Sequence, residues 1–316
     1  MAVLFCFMHA SDFLLLALLS FLLSFILTPL TIPLCKRVGA LDYPDGKRKI
    51  NTYPTPRLGG LAFFAAFFAL AFRFAPLDRY TAAALSSGAL LVAGGFADDV
   101  FDLPPKTKLF IQGAAALTAV IIIGPPESFS FFGLFKISLF GALGVLIAVF
   151  KMLFTVNAVN FSDGLDGLAA GLSAAAFVSL FIYGIKNGNV YPALSSLILA
   201  SAVIGFLPYN KYRAKTFMGD SGSQFLGLCI AIFSLGCAKE NAYTVETTLF
   251  LIIPALDTAL SVLRRIAKRK SPFAADKGHL HHFLLSKGIS HPLAVRLLVF
   301  TSMATAFITL VLLEPH

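Results

Sequence analysis

The chain has 316 residues, of which 58% are hydrophobic and only 13% charged, with a net charge of +9. A soluble globular protein is close to half apolar and about a quarter charged, so these proportions exclude an ordinary soluble domain and point to a polytopic membrane protein. Cys6, Cys35, Cys229 and Cys237 lie in or beside apolar stretches without a CxxC pair, which argues against a disulfide framework or a zinc site and makes them small buried hydrophobes.

A membrane-spanning helix takes roughly 20 apolar residues. Ten stretches qualify in chain order: 12–34, 58–76, 80–97, 107–124, 139–159, 167–185, 190–208, 221–238, 244–263 and 293–313. The run from Phe13 to Leu34 is too long for a signal-peptide core and has no Lys or Arg before it, so it reads as the first span. The expected fold is therefore all-α: a single integral-membrane domain over 1–316, a polytopic helical bundle with about ten transmembrane helices. Cytoplasmic loops retain Lys and Arg. With alternating spans, the segments 35–57, 98–108, 160–166, 209–220 and 264–292 share one side and carry 18 of the 25 basic residues. The opposite loops carry five, Arg73, Arg79, Lys136, Lys186 and Lys239, while Lys151 and Arg296 fall inside spans. Those counts place the first set in the cytoplasm and both termini outside, and they account for the positive charge without a nucleic-acid partner.

The polar motifs all fall on that basic side. "PTPRLGG" (54–60) precedes the second span, and "DDVFD" (98–102) ends the third. If the third helix continues to Asp102, Asp98 and Asp102 share a face one turn apart with Asp99 beside them. Carboxylates at a helix C-terminus are opposed by its dipole, so their presence argues for a task other than stability. In "NAVNFSDGLDGLAAG" (157–171), Asn157, Asn160 and Asp163 recur every third residue and could line one helical face, while Gly164 and Gly167 let a backbone turn or a ligand approach. "FMGDSG" (217–222) puts Asp220 where the eighth span begins. Its carboxylate suits a hard divalent cation, which takes oxygen ligands together with substrate phosphates, or an N-cap; both roles can hold, one for Ser221 and the other for Asp220. "HLHH" supplies His279, His281 and His282 after Arg264, Arg265, Lys268, Arg269 and Lys270. The spacing is not a recurrent zinc arrangement and suits a phosphorylated anion better. Asp257, inside the ninth span, stands seven positions before Arg264 and is read as a structural partner for a basic residue two helical turns away. The Phe-rich stretches such as "FFAAFF" (63–68) are lipid-facing or packing surface. Motifs scattered in sequence but gathered on one face are what a single active site requires.

In order and composition, "PTPRLGG", "DDVFDLPPKTKLFIQ", "NAVNFSDGLDGLAAG", "FMGDSGSQFLG" and "SPFAADKGHLHHFLL" resemble the motifs of the polyprenyl-phosphate N-acetylhexosamine-1-phosphate transferases, over about Pro54 to Leu285. "HLHH" resembles the branch that uses UDP-N-acetylglucosamine. Ala275, where many members have proline, is a small departure, and Arg57 differs from the usual residue of the muramoyl-pentapeptide branch. The resemblance implies transfer of N-acetylglucosamine 1-phosphate from UDP-GlcNAc to undecaprenyl phosphate with release of UMP, Mg²⁺ as cofactor with Mn²⁺ as an alternative ion, and a bacterial plasma membrane location. It also implies an active site at the cytoplasmic face and leaves a homodimer open.

Carried over position by position, Asp220 is implied as the principal metal ligand, with Asp163 beside it. Asp98, Asp99 and His281 join Asp220 as the implied catalytic set. Arg57, Lys108, Asn160, Asp163, Asp166, His279 and His282 are implied to bind substrate, with Lys106 a substitute for Lys108. Two rival readings stand beside this one: the same chemistry on UDP-MurNAc-pentapeptide or another UDP-N-acetylhexosamine, and a membrane transporter, which predicts polar groups spread through the bilayer depth.

Overall fold

The computed structural model describes residues 10–44, 53–74, 78–132, 135–269 and 278–312. Cys6, Lys270 and Ala275, with residues 271–277 of the last motif, lie outside them. The helices in chain order are α1 (Ala10–Val38), α2 (Gly60–Phe74), α3 (Arg79–Phe101), α4 (Pro105–Ile123), α5 (Gly141–Phe161) and α6 (Leu168–Lys186). They continue with α7 (Val190–Asn210), α8 (Gly219–Gly236), α9 (Val245–Leu249), α10 (Ile252–Ala267), α11 (Leu280–Ser286) and α12 (His291–Leu312). Among the described residues, seven of these are long and apolar enough to cross a membrane: α1, α3, α4, α5, α6, α7 and α12.

Three of the ten expected spans take another form. The stretch 58–76 holds the 15-residue α2. At 221–238 the structure has α8, whose first turns carry the polar run from Asp220 to Gln224. The stretch 244–263 is not one helix, because a short strand, the five-residue α9 and a break at Phe250 and Leu251 precede α10. The all-α expectation is also amended by two small sheets. β1 (Leu41–Asp42) pairs antiparallel with β2 (Thr55–Pro56). β3 (Ser128–Phe131) and β4 (Phe135–Ser138) form an antiparallel hairpin, and β5 (Ala242–Thr244) runs parallel to β3.

The burial pattern of α1 is inverted relative to a soluble helix. Ser20, Ser24, Thr28 and Thr31 are buried, whereas Leu14, Leu15, Leu18, Ile26 and Leu30 are exposed. Lipid tails are as apolar as leucine, so helices in a bilayer associate through small and hydroxyl side chains that permit close packing. The Ser20 hydroxyl accordingly donates to the Ile198 carbonyl of α7 at 2.7 Å.

α8 runs through the centre, and every residue from Ser221 to Gly236 is buried. Its first turn is gripped backbone to backbone. A Cβ added at Gly60 of α2 would lie 2.4 Å from the Gly222 Cα, and one at Gly95 of α3 would lie 2.5 Å from the Ser221 Cα. The glycines of "PTPRLGG" and "GGFADD" are therefore contact points that draw two motif-bearing segments onto a third. Gly60→Ala is expected to lower the unfolding midpoint by roughly 3 to 6 °C, since overpacking against backbone costs about 1–3 kcal/mol. Thermal unfolding in detergent checks this; an unchanged midpoint would show that α2 can retreat from α8.

Segments expected to share a side do meet. The 124–140 connection joins the one at 239–244 through the three-stranded sheet and through Lys136 Nζ to Glu240 Oε2 at 2.6 Å. Tyr80, at the start of α3, reaches Asn241 at 3.3 Å on the same end. The acidic and histidine motifs gather at the other end.

Candidate active site

The end of α3 sets the frame. Asp98 and Asp99 are buried in its last turn, but the helix stops at Phe101. Asp102 is the C-cap in the left-handed region, φ 50°, and so does not share a helical face with Asp98. Its exposed carboxylate accepts from Arg57 Nη2 at 3.0 Å, while Arg57 Nε donates to the Asp99 carbonyl at 2.9 Å. Arg57 thus lies as a clamp across the helix end, a favourable place for a cation beside unsatisfied carbonyls.

The adjacent aspartates divide their work. Both Asp99 oxygens are taken by α8: Oδ1 accepts the Asp220 N–H at 2.9 Å and Oδ2 the Ser221 N–H at 3.0 Å. Neither Asp220 nor Ser221 caps α8 with its own side chain; the N-cap position is Met218, and the capping carboxylate arrives from α3. This approach requires glycine at 219, where φ is +71° and a Cβ would fall 2.0 Å from the Arg57 carbonyl oxygen.

Because its helix is capped by another residue, Asp220 can turn its carboxylate to the site. Oδ1 accepts from Asn160 Nδ2 at 2.9 Å, and Oδ2 accepts from Lys108 Nζ at 3.1 Å and Gln224 Nε2 at 3.2 Å. Lys108 Nζ also pairs with Asp98 Oδ2, and the other Asp98 oxygen accepts the Leu103 N–H at 2.7 Å. One ammonium therefore bridges two carboxylates from different helices. Behind it, Asn157 Nδ2 donates to Gln112 Oε1 at 2.9 Å, Gln112 Nε2 donates to Gln224 Oε1 at 3.2 Å, and Asn160 also donates to Ser223 Oγ at 2.9 Å.

Gln112, Ser223 and Gln224 were not singled out from sequence. The signal was available: Gln112 stands four residues after Lys108 and Gln224 four after Asp220, so each shares a helical face with its charged neighbour inside an apolar segment.

α5 ends at Phe161, so Asp163 lies in the following turn and not on a helical face with Asn157 and Asn160. Among the described residues, no hydrogen bond or ion pair reaches its carboxylate. Burial, reinforced by the charges of Asp220, Asp99, Asp166 and Asp42, raises its pKa well above the usual carboxylate range. Asp166 organises the turn, its Oδ2 accepting the Ala214 N–H at 3.0 Å and its own N–H donating to His291 Nε2 at 3.1 Å.

The histidine motif abuts this turn, since a Cβ on Gly164 would lie 2.4 Å from His281 Nε2. The rings of His279 and His281 stack at 5.6 Å, and His281 and His282 lie 4.4 Å apart. Burial, with repulsion from His282 and His279, lowers the His281 pKa to about 4. His281 is therefore neutral near pH 7 and offers hydrogen bonds instead of positive charge. Asp257 pairs with His279 at 2.9 Å, not with Arg264 as its spacing suggested.

The donor set suits a hard cation. Asp98 and Asp220 already share the Lys108 ammonium, Asp163 is a further carboxylate on which the charge of Asp220 acts, and Cys229 and Cys237 are buried. Among the described residues, no three His, Cys, Asp or Glu side chains form a closed metal cage. That is compatible with Mg²⁺, which keeps several waters and relies on one or two carboxylates plus substrate phosphates.

Comparison with known proteins bears on the same residues. The family model described as "Glycosyl transferase family 4" matches residues 81–238, a range that holds Asp98, Asp99, Lys108, Asn160, Asp163 and Asp220. The chain is 37% identical over 292 residues to the decaprenyl-phosphate N-acetylglucosaminephosphotransferase of Mycobacterium tuberculosis (strain ATCC 25618 / H37Rv), covering 82% of this chain and 72% of the relative. It is 33% identical over 282 residues to the probable undecaprenyl-phosphate N-acetylglucosaminyl 1-phosphate transferase of Bacillus subtilis (strain 168), covering 88% and 78%. It is 30% identical over 268 residues to the undecaprenyl-phosphate alpha-N-acetylglucosaminyl 1-phosphate transferase of Escherichia coli (strain K12), covering 81% and 71%. With its motifs gathered at one end of an apolar bundle and a family match across half its length, this chain belongs to glycosyl transferase family 4, among the membrane-embedded polyprenyl-phosphate N-acetylhexosamine-1-phosphate transferases.

Proposed function

We propose that the protein transfers N-acetylglucosamine 1-phosphate from UDP-N-acetylglucosamine to undecaprenyl phosphate, releasing UMP, at the cytoplasmic face of a bacterial plasma membrane with both termini outside. The observation that carries this reading is the carboxylate–ammonium cluster of Asp98, Lys108 and Asp220 at the end of the bundle where a lipid headgroup and a soluble nucleotide can meet. In the transfer, a lipid phosphate oxygen bonds to the β-phosphorus while the bond from that phosphorus to the oxygen bridging the α-phosphate breaks, and UMP leaves with that oxygen.

This chain's residues chiefly position and neutralise. Asp220 and Asp163 are the residues that would hold Mg²⁺, with Mn²⁺ as an alternative. When bound there, the ion supplies neutralisation of the diphosphate and polarisation of its oxygens. Lys108, on a flexible stem between two carboxylates, can swing from Asp98 to a phosphate. Asp98, released from it, becomes an acceptor that orients the attacking lipid phosphate. Asn160 holds the Asp220 carboxylate in register. His281, neutral near pH 7, lies against Gly164 of the same turn.

The experiment is transfer of label from sugar-labelled UDP-N-acetylglucosamine into undecaprenyl phosphate by purified protein, with Mg²⁺ and then with excess chelator. Decaprenyl phosphate serves as the second acceptor. Metal-dependent labelled lipid with matching UMP is expected. Turnover only with another UDP-N-acetylhexosamine would change the donor, turnover only with decaprenyl phosphate would change the acceptor, and no UMP from folded protein would favour transport.

Asp163→Asn gives a metal-removal test with an unusual sign. A carboxylate whose pKa is raised on folding lowers stability above its unfolded pKa, so the Asn variant should melt roughly 1 to 3 °C higher than wild type in chelator at pH 8. The difference should vanish below about pH 4, where both forms are neutral. The rise in melting temperature on adding Mg²⁺ should be smaller in the variant; an equal rise would remove Asp163 from the metal site.

A further inference from the structure

Asp257 is a buried carboxylate in α10 that the proposed chemistry does not use. Its two oxygens grip the start of α11. Oδ2 accepts from His279 Nδ1 at 2.9 Å and Oδ1 accepts the backbone N–H of Leu280 at 2.8 Å. An ionised carboxylate only accepts, so Nδ1 carries the proton, and in the imidazole form Nε2 is left with its lone pair. Ser261 Oγ lies 3.4 Å from the same Nδ1 and itself accepts from Arg264 Nη2 at 2.8 Å. Phe161, 5.7 Å away, and the parallel ring of His281 hold its plane. Phe161 directly follows Asn160, the residue on Asp220, and His281 touches Gly164, so the fixed imidazole borders the acidic site.

We propose that Asp257 is the positioning residue for His279, fixing it as an Nδ1–H tautomer whose Nε2 accepts a hydrogen bond from an N–H or O–H of the nucleotide sugar; this rests on the transferase reading above. A lone pair at Nε2 repels phosphate oxygens, which directs His279 to the hydroxyl or acetamido groups of the sugar and leaves the phosphates to Lys108 and the metal.

Asp257→Asn separates positioning from packing because it preserves shape. The Leu280 N–H can only donate, so the Asn carbonyl turns to it and the Asn amide points at Nδ1. His279 is thereby driven to the Nε2–H tautomer, and an acceptor becomes a donor. The variant should melt within about 2 °C of wild type yet lose roughly 100-fold in kcat/KM for the nucleotide sugar, as tautomer reversal does where an Asp orients a working His. In a His279→Ala background the same change should cost less than about threefold, because residues acting as a unit are not additive.

Nitrogen-15 spectra of histidine-labelled protein, with His279 assigned from the His279→Ala spectrum, should show Nδ1–H in wild type and Nε2–H in Asp257→Asn. The spectra need no turnover, so an inactive wild type would count against the transferase reading while they still test the tautomer. An unchanged tautomer, a kcat/KM within threefold of wild type, or losses that multiply in the double variant would each overturn the assignment.

Discussion

Asp220→Asn is expected to abolish transfer, by at least about 10³-fold in kcat, while the protein remains folded. The helix that carries Asp220 is capped by Asp99 through backbone N–H groups, which the substitution leaves intact. Its side chain contributes instead to the site, where it receives Asn160, Lys108 and Gln224. Removing its charge weakens the hold on a divalent ion and leaves Lys108 paired with Asp98 alone. Transfer assayed across a Mg²⁺ titration, beside a thermal unfolding curve, checks this. Activity restored by saturating Mg²⁺ would mean that Asp220 tunes affinity without carrying the reaction, and a collapsed melting temperature would make it structural.

The second large effect is a contrast between neighbours. Asp98→Asn should lose roughly 10²-fold in kcat with little change in stability, because Asp98 faces Lys108 and the proposed lipid phosphate. Asp99→Asn should act mainly on the fold. Asn offers one carbonyl to two backbone donors and sets its amide against the other, so a buried charged hydrogen bond worth about 1.5–3 kcal/mol is lost. The midpoint should fall by roughly 3 to 6 °C, with any activity loss following the misplacement of Asp220. Measured together, the pair is decisive: a stable, inactive Asp99 variant beside an unstable, active Asp98 variant would reverse the division of labour.

Composition alone was enough to place the chain in a membrane, because 58% apolar residues with 13% charge cannot be buried inside a soluble domain of this size. Motif order was enough to suggest the family, and the alternation of basic loops foretold which segments share an end of the bundle. Those properties are written locally, in residue type and spacing. Seven helices match expected spans in length and apolarity, but α2, α8 and the α9–α10 stretch do not. The ninth stretch is apolar enough on average, and an average does not register the break at Phe250 and Leu251.

What the tertiary structure alone decided is the work of each polar side chain, since most partners lie far along the chain: Lys108 is 112 residues from Asp220, and Asp99 is 121 from the backbone N–H that it caps. Asp98 and Asp99 are adjacent and chemically identical, yet one meets Lys108 and the other the backbone of α8, because successive residues on a helix point in directions about 100° apart. Asp102 lies past the helix end, so its geometry belongs to the C-cap and to Arg57. Asp257 finds His279, 22 positions on, because the turn into α11 folds back onto α10, and helical spacing could only suggest partners on its own helix.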